Sequence, residues 1–324
     1  MDRRILLTKR LAILTAAGMF LVLLMGANVT ATGSGEGCGN DWPLCQGRFL
    51  PGDYRASIIE YSHRIVTGAE GFLVLGTMFA AWGLRKRFPE FKILVPAMVF
   101  TVVLQALMGA AAVKWPTSAA VMASHFGISL ICLASAALIA RILIDNGRHK
   151  DPSLGAMAPP SGFRFLMITS FVMSILVAYI GAYVRHTHSE IACGIQWPLC
   201  NGAVIPEMGN NVDIHFGHRI SAVIISLTIA GLFAMGHKYR QQRPDLFAIS
   251  RNALIVVLLQ VIAGGMVVLS TVQLVTTLLH AALMAILFVT LADGVLRVLP
   301  GRSLDRSQAP ALSSQRVPAS GPGD

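Results

Sequence analysis

Four histidines lie inside apolar stretches of the sequence, where an ionisable side chain is costly and usually functional. His63 and His125 each lie about six residues into such a stretch, and His218 and His280 do the same later in the chain. At a rise of about 1.5 Å per helical residue, all four share a depth of about 9 Å. Two imidazoles at one depth on neighbouring helices are the axial ligands that a haem needs. The spacing therefore predicts two haem sites.

Other uses of these histidines stay open at this point. A single histidine in a membrane helix is commonly an interhelical hydrogen-bonding group. Zinc would need more ligands than two histidines per site supply. A proton-relay transporter would more typically carry carboxylates at mid-membrane. Glu70, one heptad after His63, is the one candidate, and it is read either as a structural hydrogen-bonding group or as a functional one.

Three further side chains neighbour the histidines. Arg64 and Arg219 each follow a predicted ligand, and a guanidinium is well suited to pairing with haem propionates. Glu60 lies three residues before His63, on the same helix face, whereas the equivalent position in the second half is His215. This asymmetry predicts that the chemistry belongs to the N-terminal site and that the second haem relays electrons or is structural.

A repeat at a constant offset of 155 residues relates the two halves of the chain. Such self-similarity indicates a duplicated structural unit. Four of the five cysteines and four of the nine histidines are paired by this offset. Matched pairs include Gly26 and Gly181, Cys38 and Cys193, Trp42 and Trp197, Cys45 and Cys200, His63 and His218, Gln105 and Gln260, Gly109 and Gly264, and His125 and His280.

The paired cysteines occupy two polar loops. Six residues separate Cys38 from Cys45 and Cys193 from Cys200, which is too wide for a thioredoxin-type motif and suits the closure of a small loop. We expect two disulfides on the oxidising side of the membrane. They either brace the loops or take part in redox chemistry. Cys132, within an apolar stretch, is expected to be a small apolar side chain.

The elements that must position these residues are membrane helices. The chain has 324 residues, of which 54% are apolar and 13% charged, against roughly 25% charged in ordinary soluble domains. Apolar stretches of spanning length occur at about 11–29, 57–83, 93–113, 119–140, 164–183, 214–236, 252–270 and 273–296. The sequence therefore predicts an all-α polytopic membrane protein with eight transmembrane helices.

Each half contains four spans, an even number, so both halves should have the same topology. We expect two four-helix bundles related by a pseudo-twofold axis along the membrane normal. The predicted organisation is a cytoplasmic N-terminus (1–10), an N-terminal four-helix bundle (11–144), a cytoplasmic linker (145–163), a C-terminal four-helix bundle (164–299) and a disordered tail (300–324).

The lysines and arginines predict the orientation. Twenty of the 26 lie at the two termini and on alternate loops, so by the positive-inside rule both termini are cytoplasmic and the cysteine loops face outward. The net charge of +10 then reflects basic cytoplasmic loops rather than nucleic-acid binding.

The combination of motifs resembles the haem A synthase family, over roughly residues 11–297. The residues that carry the resemblance are Thr32-Gly33-Ser34-Gly35, Cys38 to Cys45 with Trp42-Pro43-Leu44-Cys45, Glu60-Tyr61-Ser62-His63-Arg64, His125, Gly217-His218-Arg219 and His280. The resemblance implies an enzyme that oxidises the C8 methyl of haem O to the formyl of haem A through a hydroxymethyl stage. It implies substrate haem between His63 and His125 with Glu60 catalytic, and a haem b cofactor between His218 and His280.

The resemblance also implies partners and a location. A haem O synthase would supply the substrate, an electron donor of unspecified identity would supply electrons, and terminal oxidases would receive the product. Paired cysteines in both loops, and a short N-terminus without a transit peptide, favour a prokaryotic plasma membrane; self-association into a homo-oligomer is left open. Two rival functions remain, a dihaem cytochrome b that only transfers electrons and a haem carrier.

Overall fold

The structure is a computed structural model that describes residues 3–145, 158–209 and 211–299. Within these ranges it contains eight helices: α1 (Arg3–Ala31), α2 (Arg55–Gly83), α3 (Phe91–Lys114), α4 (Ala119–Ile144), α5 (Ser161–His186), α6 (Val212–Lys238), α7 (Pro244–Leu269) and α8 (Leu274–Val298). All eight are long and apolar enough to cross a membrane. The predicted all-α, eight-span membrane protein is confirmed.

The helix ends differ from the predicted spans chiefly in α1 and α7, which begin at Arg3 and Pro244 rather than near 11 and 252. Hydropathy detects only the part of a helix that suits the bilayer, whereas lysine and arginine are good helix formers outside it. Proline at the first turn and Asp245 behind it favour the earlier start of α7. The predicted linker and tail fall largely or wholly on 146–157 and 300–324, outside the described residues.

The helix contacts describe two rings of four. In the first half α1 contacts α2, α2 contacts α3, α3 contacts α4 and α4 contacts α1, and in the second half α5 to α8 repeat this order. Between the halves the most extensive contacts are α4 with α5, α1 with α8, and α4 with α8. Exchanging α1 with α5 and α4 with α8 leaves this set unchanged, which agrees with the expected pseudo-twofold relation.

Helix α4 lies at the centre of the molecule and is more buried than the other spans of the described chain. Small and aliphatic side chains along it, including Ala136 and Ile139, pack in the core that joins the two halves. Small residues allow membrane helices to approach closely. His125 on α4 is thereby held on a rigid central element.

Two loops, 32–54 and 187–211, connect α1 to α2 and α5 to α6, and we call them the cysteine loops. Both predicted disulfides are present, Cys38–Cys45 and Cys193–Cys200, with Cα atoms 4.5 and 4.4 Å apart. Cys132 is buried as a free thiol. The entry to each loop also repeats, because Thr32 with Ser34, and Thr187 with Ser189, form hydroxyl hydrogen bonds of 2.7 Å.

Candidate functional site

The imidazoles of His63 and His125 lie in the first ring of helices, on α2 and α4. Each faces a glycine of a neighbouring helix: a Cβ atom added at Gly26 would lie 3.4 Å from Cε1 of His63, and one at Gly109 would lie 3.9 Å from Cε1 of His125. The two histidines are close enough to interact electrostatically. The structure therefore places the two histidines of the predicted N-terminal pair near each other, and their role as haem ligands stays a prediction.

The second ring repeats this arrangement more tightly. A Cβ atom at Gly181 would lie 2.8 Å from Cε1 of His218, and one at Gly264 would lie 3.1 Å from Cε1 of His280. Real Cβ atoms essentially never lie as close to another heavy atom as the 2.8 Å at Gly181. The four matched glycines thus leave the space that the four imidazoles occupy. The sequence repeat shows that these glycines are paired, but only the structure shows why.

The ring nitrogens of these histidines have unused bonding capacity. In His63, His125, His218 and His280, Nδ1 is buried without a hydrogen-bond partner, and buried polar atoms ordinarily have one. Nε2 of His280 lies 3.3 Å from Nε2 of Gln260. Among the described residues no cluster of three or more His, Cys, Asp or Glu could hold a bare metal ion. A pair of imidazoles nevertheless suffices for haem iron, because the macrocycle supplies the other four ligands.

A cavity of about 510 Å³ adjoins the second pair of histidines. His218 and His280 both line it, its walls are largely apolar, and its polar lining residues include Arg185, Glu190 and the predicted Arg219. Ala27 and Phe126 of the first half also line it, so the cavity reaches the contact between the halves. Its size and apolar lining are those of a cofactor site, and its residues fit a haem held by two imidazoles.

Glu60 and Arg64 fasten the first cysteine loop to α2, an arrangement we call the N-terminal clasp. Glu60 is only 4% exposed. Its Oε2 accepts a 2.8 Å hydrogen bond from the backbone N–H of Cys38, and its Oε1 forms an ion pair with Arg64. The same guanidinium donates to the carbonyl oxygens of Asp41 and Leu44, at 2.7 and 2.9 Å. The clasp therefore fixes the disulfide loop one helical turn from His63.

The second half has a weaker version of the clasp, centred on His215 and Arg219. Nδ1 of His215 lies 3.4 Å from the N–H of Cys193, and its Nε2 lies 3.3 Å from Nε of Arg219. An imidazole has at most one acceptor nitrogen, whereas a carboxylate accepts at both oxygens. His215 can therefore satisfy only one of two donors that Glu60 satisfies together, which accounts for the longer contacts.

The clasps bear on the roles predicted for the two arginines. Arg219 donates to the carbonyl oxygens of Leu199, Gln196 and Pro198, the first at 2.8 Å and the others at 3.2 and 3.3 Å. Both guanidinium groups thus bind loop carbonyls in this structure. Their pairing with haem propionates stays a prediction, as does a catalytic role for Glu60.

Sequence reasoning missed the role of Arg185, which joins the two halves. Its guanidinium forms an ion pair with Glu190 and donates a 3.1 Å hydrogen bond to the carbonyl oxygen of Thr30. Thr30 is the residue that matches Arg185 at the 155-residue offset. A charged residue opposite an uncharged one in a repeat is the signal that could have drawn attention to this position.

Comparison with known proteins agrees with this architecture. The family model described as cytochrome oxidase assembly protein (COX15-CtaA) matches residues 9–292. The chain is 38% identical over 280 residues to the heme A synthase of Halalkalibacterium halodurans, covering 86% of this chain and 92% of that one. It is 35% identical over 310 residues to the heme A synthase of Bacillus cereus, covering 95% and 98%. The chain belongs to the COX15-CtaA family of cytochrome oxidase assembly proteins.

Proposed function

We propose that this protein is a haem A synthase, an oxidoreductase that converts the C8 methyl of haem O to the formyl group of haem A by way of a hydroxymethyl intermediate. The observation that carries the proposal is the duplicated histidine pair with a clasp carboxylate, Glu60, in one half only. A protein that merely relays electrons through two haems has no evident need for this asymmetry. The heme A synthases to which the chain is similar over most of its length support the same activity.

The substrate haem O is proposed to bind in the first half, between His63 and His125. Gly26 and Gly109 leave room for the two imidazoles, whose ring nitrogens include atoms without a hydrogen-bond partner. The imidazoles are therefore available to bind haem iron. The clasp places Glu60 one turn from His63, buried and held by two donors. We assign Glu60 the role of accepting a proton or stabilising positive charge during oxidation of the methyl group. Movement of Arg64 away from Glu60 would free one carboxylate oxygen for this role.

The second half is proposed to hold a resident haem b between His218 and His280. When bound, this group supplies one-electron transfer capacity to the reaction. The protein's contribution is to hold the two imidazoles against Gly181 and Gly264 and to exclude water with an apolar wall. Arg185, which lines the cavity, is suited to an anionic propionate. This assignment adds Arg185 to the predicted cofactor-binding residues.

The proposal extends to location and partners. The basic residues that flank the ends of α1, α2, α4 and α6 opposite the cysteine loops favour a cytoplasmic position for both termini. The cysteine loops then face outward, where their disulfides persist. A haem O synthase is the proposed source of substrate, a terminal oxidase of the haem-copper type the recipient of product, and the bilayer of a prokaryotic plasma membrane the setting.

The experiment that tests the function is analysis of extracted haems from cells that co-express this protein with a haem O synthase. Chromatography with mass detection should find haem A or its hydroxymethyl precursor only when the protein is present. If a purified, haem-loaded protein accompanies only haem B and haem O in the cells, the activity is instead electron transfer or haem carriage.

A further inference from the structure

A buried carboxyl group in the first ring of helices takes no part in the histidine pair or the clasp. Glu70, on α2, is 3% exposed, and its Oε1 is buried without a hydrogen-bond partner. It lies seven residues beyond His63, so it is about 10 Å deeper in the membrane. A polar group in such a position is costly and is usually functional.

The neighbouring helix leaves space for this carboxyl group. A Cβ atom at Gly18 on α1 would overlap Oε2 of Glu70, so glycine at this position is what allows the side chain to enter the helix contact. At the 155-residue offset, Gly18 and Glu70 correspond to Met173 and Ile225. Those two residues belong to the apolar core of the second ring. Both positions therefore differ between the halves, and the carboxyl group is specific to the half that holds the proposed substrate site.

Hydroxyl groups continue from this carboxyl toward the basic end of the first ring. Thr15, one turn from Gly18 on α1, lies 2.8 Å from the hydroxyl of Thr77 on α2, and both are fully buried. Thr8, also buried, follows two turns later, near Arg4. In the second ring the residues matching Thr8 and Thr77 are Phe163 and Leu232, which are buried apolar side chains.

Polar groups also lead from Glu70 toward the histidines. Cys132 on α4 lies within electrostatic range of Glu70 and within hydrogen-bonding range of Thr101 on α3. One turn nearer the histidines, Gln105 is buried with its Nε2 unpartnered. The second ring has Leu287 and Val256 where the first has Cys132 and Thr101. We call the polar side chains spaced along the first ring the polar column: Thr8, Thr15, Thr77, Glu70, Cys132, Thr101 and Gln105. In the second ring only Thr15 and Gln105 have polar matches, Ser170 and Gln260, and apolar residues stand at the other five positions.

We propose that Glu70 is an internal proton carrier that exchanges protons between the substrate site and the end of the first ring marked by Thr8. This rests on the proposed function. With dioxygen as oxidant and two electrons from a membrane electron donor, the first oxidation is R–CH₃ + O₂ + 2 e⁻ + 2 H⁺ → R–CH₂OH + H₂O. Each such step takes up two protons at a site enclosed by apolar helices. Glu70 receives a proton from the threonine side and releases it toward Gln105 and the histidines.

The test compares the full-length, haem-loaded protein with its Glu70→Gln and Glu70→Asp variants. Haem content, the single-turnover rate of haem O conversion and the solvent deuterium isotope effect are measured for each. Glutamine fits the space beside Gly18 but carries no exchangeable acid proton, whereas aspartate keeps the acid on a shorter stem. We expect unchanged haem content, conversion roughly 10²-fold slower in Glu70→Gln, and recovery of most of the rate in Glu70→Asp.

The rank order of the variants separates proton transfer from packing. The proposal would be overturned if the Glu70→Gln protein converted haem O at the wild-type rate. It would also be overturned if the Glu70→Asp protein were slower than the Glu70→Gln protein. Infrared difference spectra give a second readout, since a carboxyl band that shifts in deuterium oxide should be missing from Glu70→Gln. If that variant fails to fold, Thr77→Val interrupts the column without touching the carboxyl group; a wild-type rate there counts against the proposal. Wild-type protein that converts no haem O would instead defeat the proposed function as well.

Discussion

Replacing Gly181 with alanine tests whether the glycines make the histidine pairs usable for haem binding. Gly181 lies on α5 opposite His218, and a Cβ atom there would lie 2.8 Å from Cε1 of the imidazole. In the haem-free protein the ring is the far end of a side chain and can turn away. A ring that is bonded to iron has lost that freedom. The substitution should therefore weaken haem binding much more than it weakens folding.

The size of the effect follows from the displacement required. Ordinary van der Waals contact needs about 3.4 to 4 Å, so the ring must move by roughly 0.6 to 1.2 Å from the place it occupies now. Overpacking of this kind costs about 1 to 3 kcal/mol, which corresponds to roughly 5- to 150-fold weaker binding. At Gly26, where the corresponding distance is 3.4 Å, the same substitution should have a smaller effect on the first site.

The assay is haem content of the purified protein, from the absorption of reduced pyridine complexes, together with the thermal midpoint of the haem-free form. Gly217→Ala is the matched control, because it lies next to His218 on α6 and an added Cβ would meet no atom within 4 Å. Haem loss in Gly181→Ala but not in the control is expected. Full haem occupancy in Gly181→Ala, or equal loss in both variants, would refute the reasoning.

Three further predictions concern the clasps and the ligands. Glu60→Gln should retain haem and lose conversion of haem O, because the amide keeps the shape but cannot accept a proton; normal haem A output would remove Glu60 from the mechanism. His218→Ala should lower haem b content measured by absorption, and unchanged content would mean that the second site lies elsewhere. His215→Glu should satisfy both Cys193 and Arg219 and raise the free energy of unfolding by about 1 kcal/mol; a lower thermal midpoint than wild type would contradict the acceptor argument.

Much of the architecture could be predicted because it depends on local composition and on the repeat. Hydropathy locates a membrane helix directly, since the bilayer requires about 20 apolar residues in one run. The disulfides Cys38–Cys45 and Cys193–Cys200 could be predicted because six intervening residues in each outward-facing loop suit the closure of a small loop. The histidine pairs followed from equal depth, which helix geometry gives without tertiary information.

The contacts between loops and helices could not be predicted in this way. The sequence predicts that Arg64 pairs with a haem propionate, but it does not show that the guanidinium donates to the carbonyl oxygens of Asp41 and Leu44, because the folding of the cysteine loop over the start of α2 is a tertiary contact. Backbone carbonyls carry no signal in a sequence pattern. Similarly, the sequence does not show that Gly18 on α1 leaves the space for Glu70 on α2, because no spacing rule relates residues on two antiparallel helices.

The central claim is tested most directly by incubating purified protein, carrying haem b, with haem O, dioxygen and a reductant in a single turnover. Mass analysis of the extracted haems then follows the substrate and, as an internal reference, the haem b. The account predicts that haem O gains one oxygen atom and then loses two hydrogens to become haem A, while haem b is unchanged, and that His63→Ala abolishes both steps. Haem O recovered unaltered from protein whose two sites are filled would contradict the account.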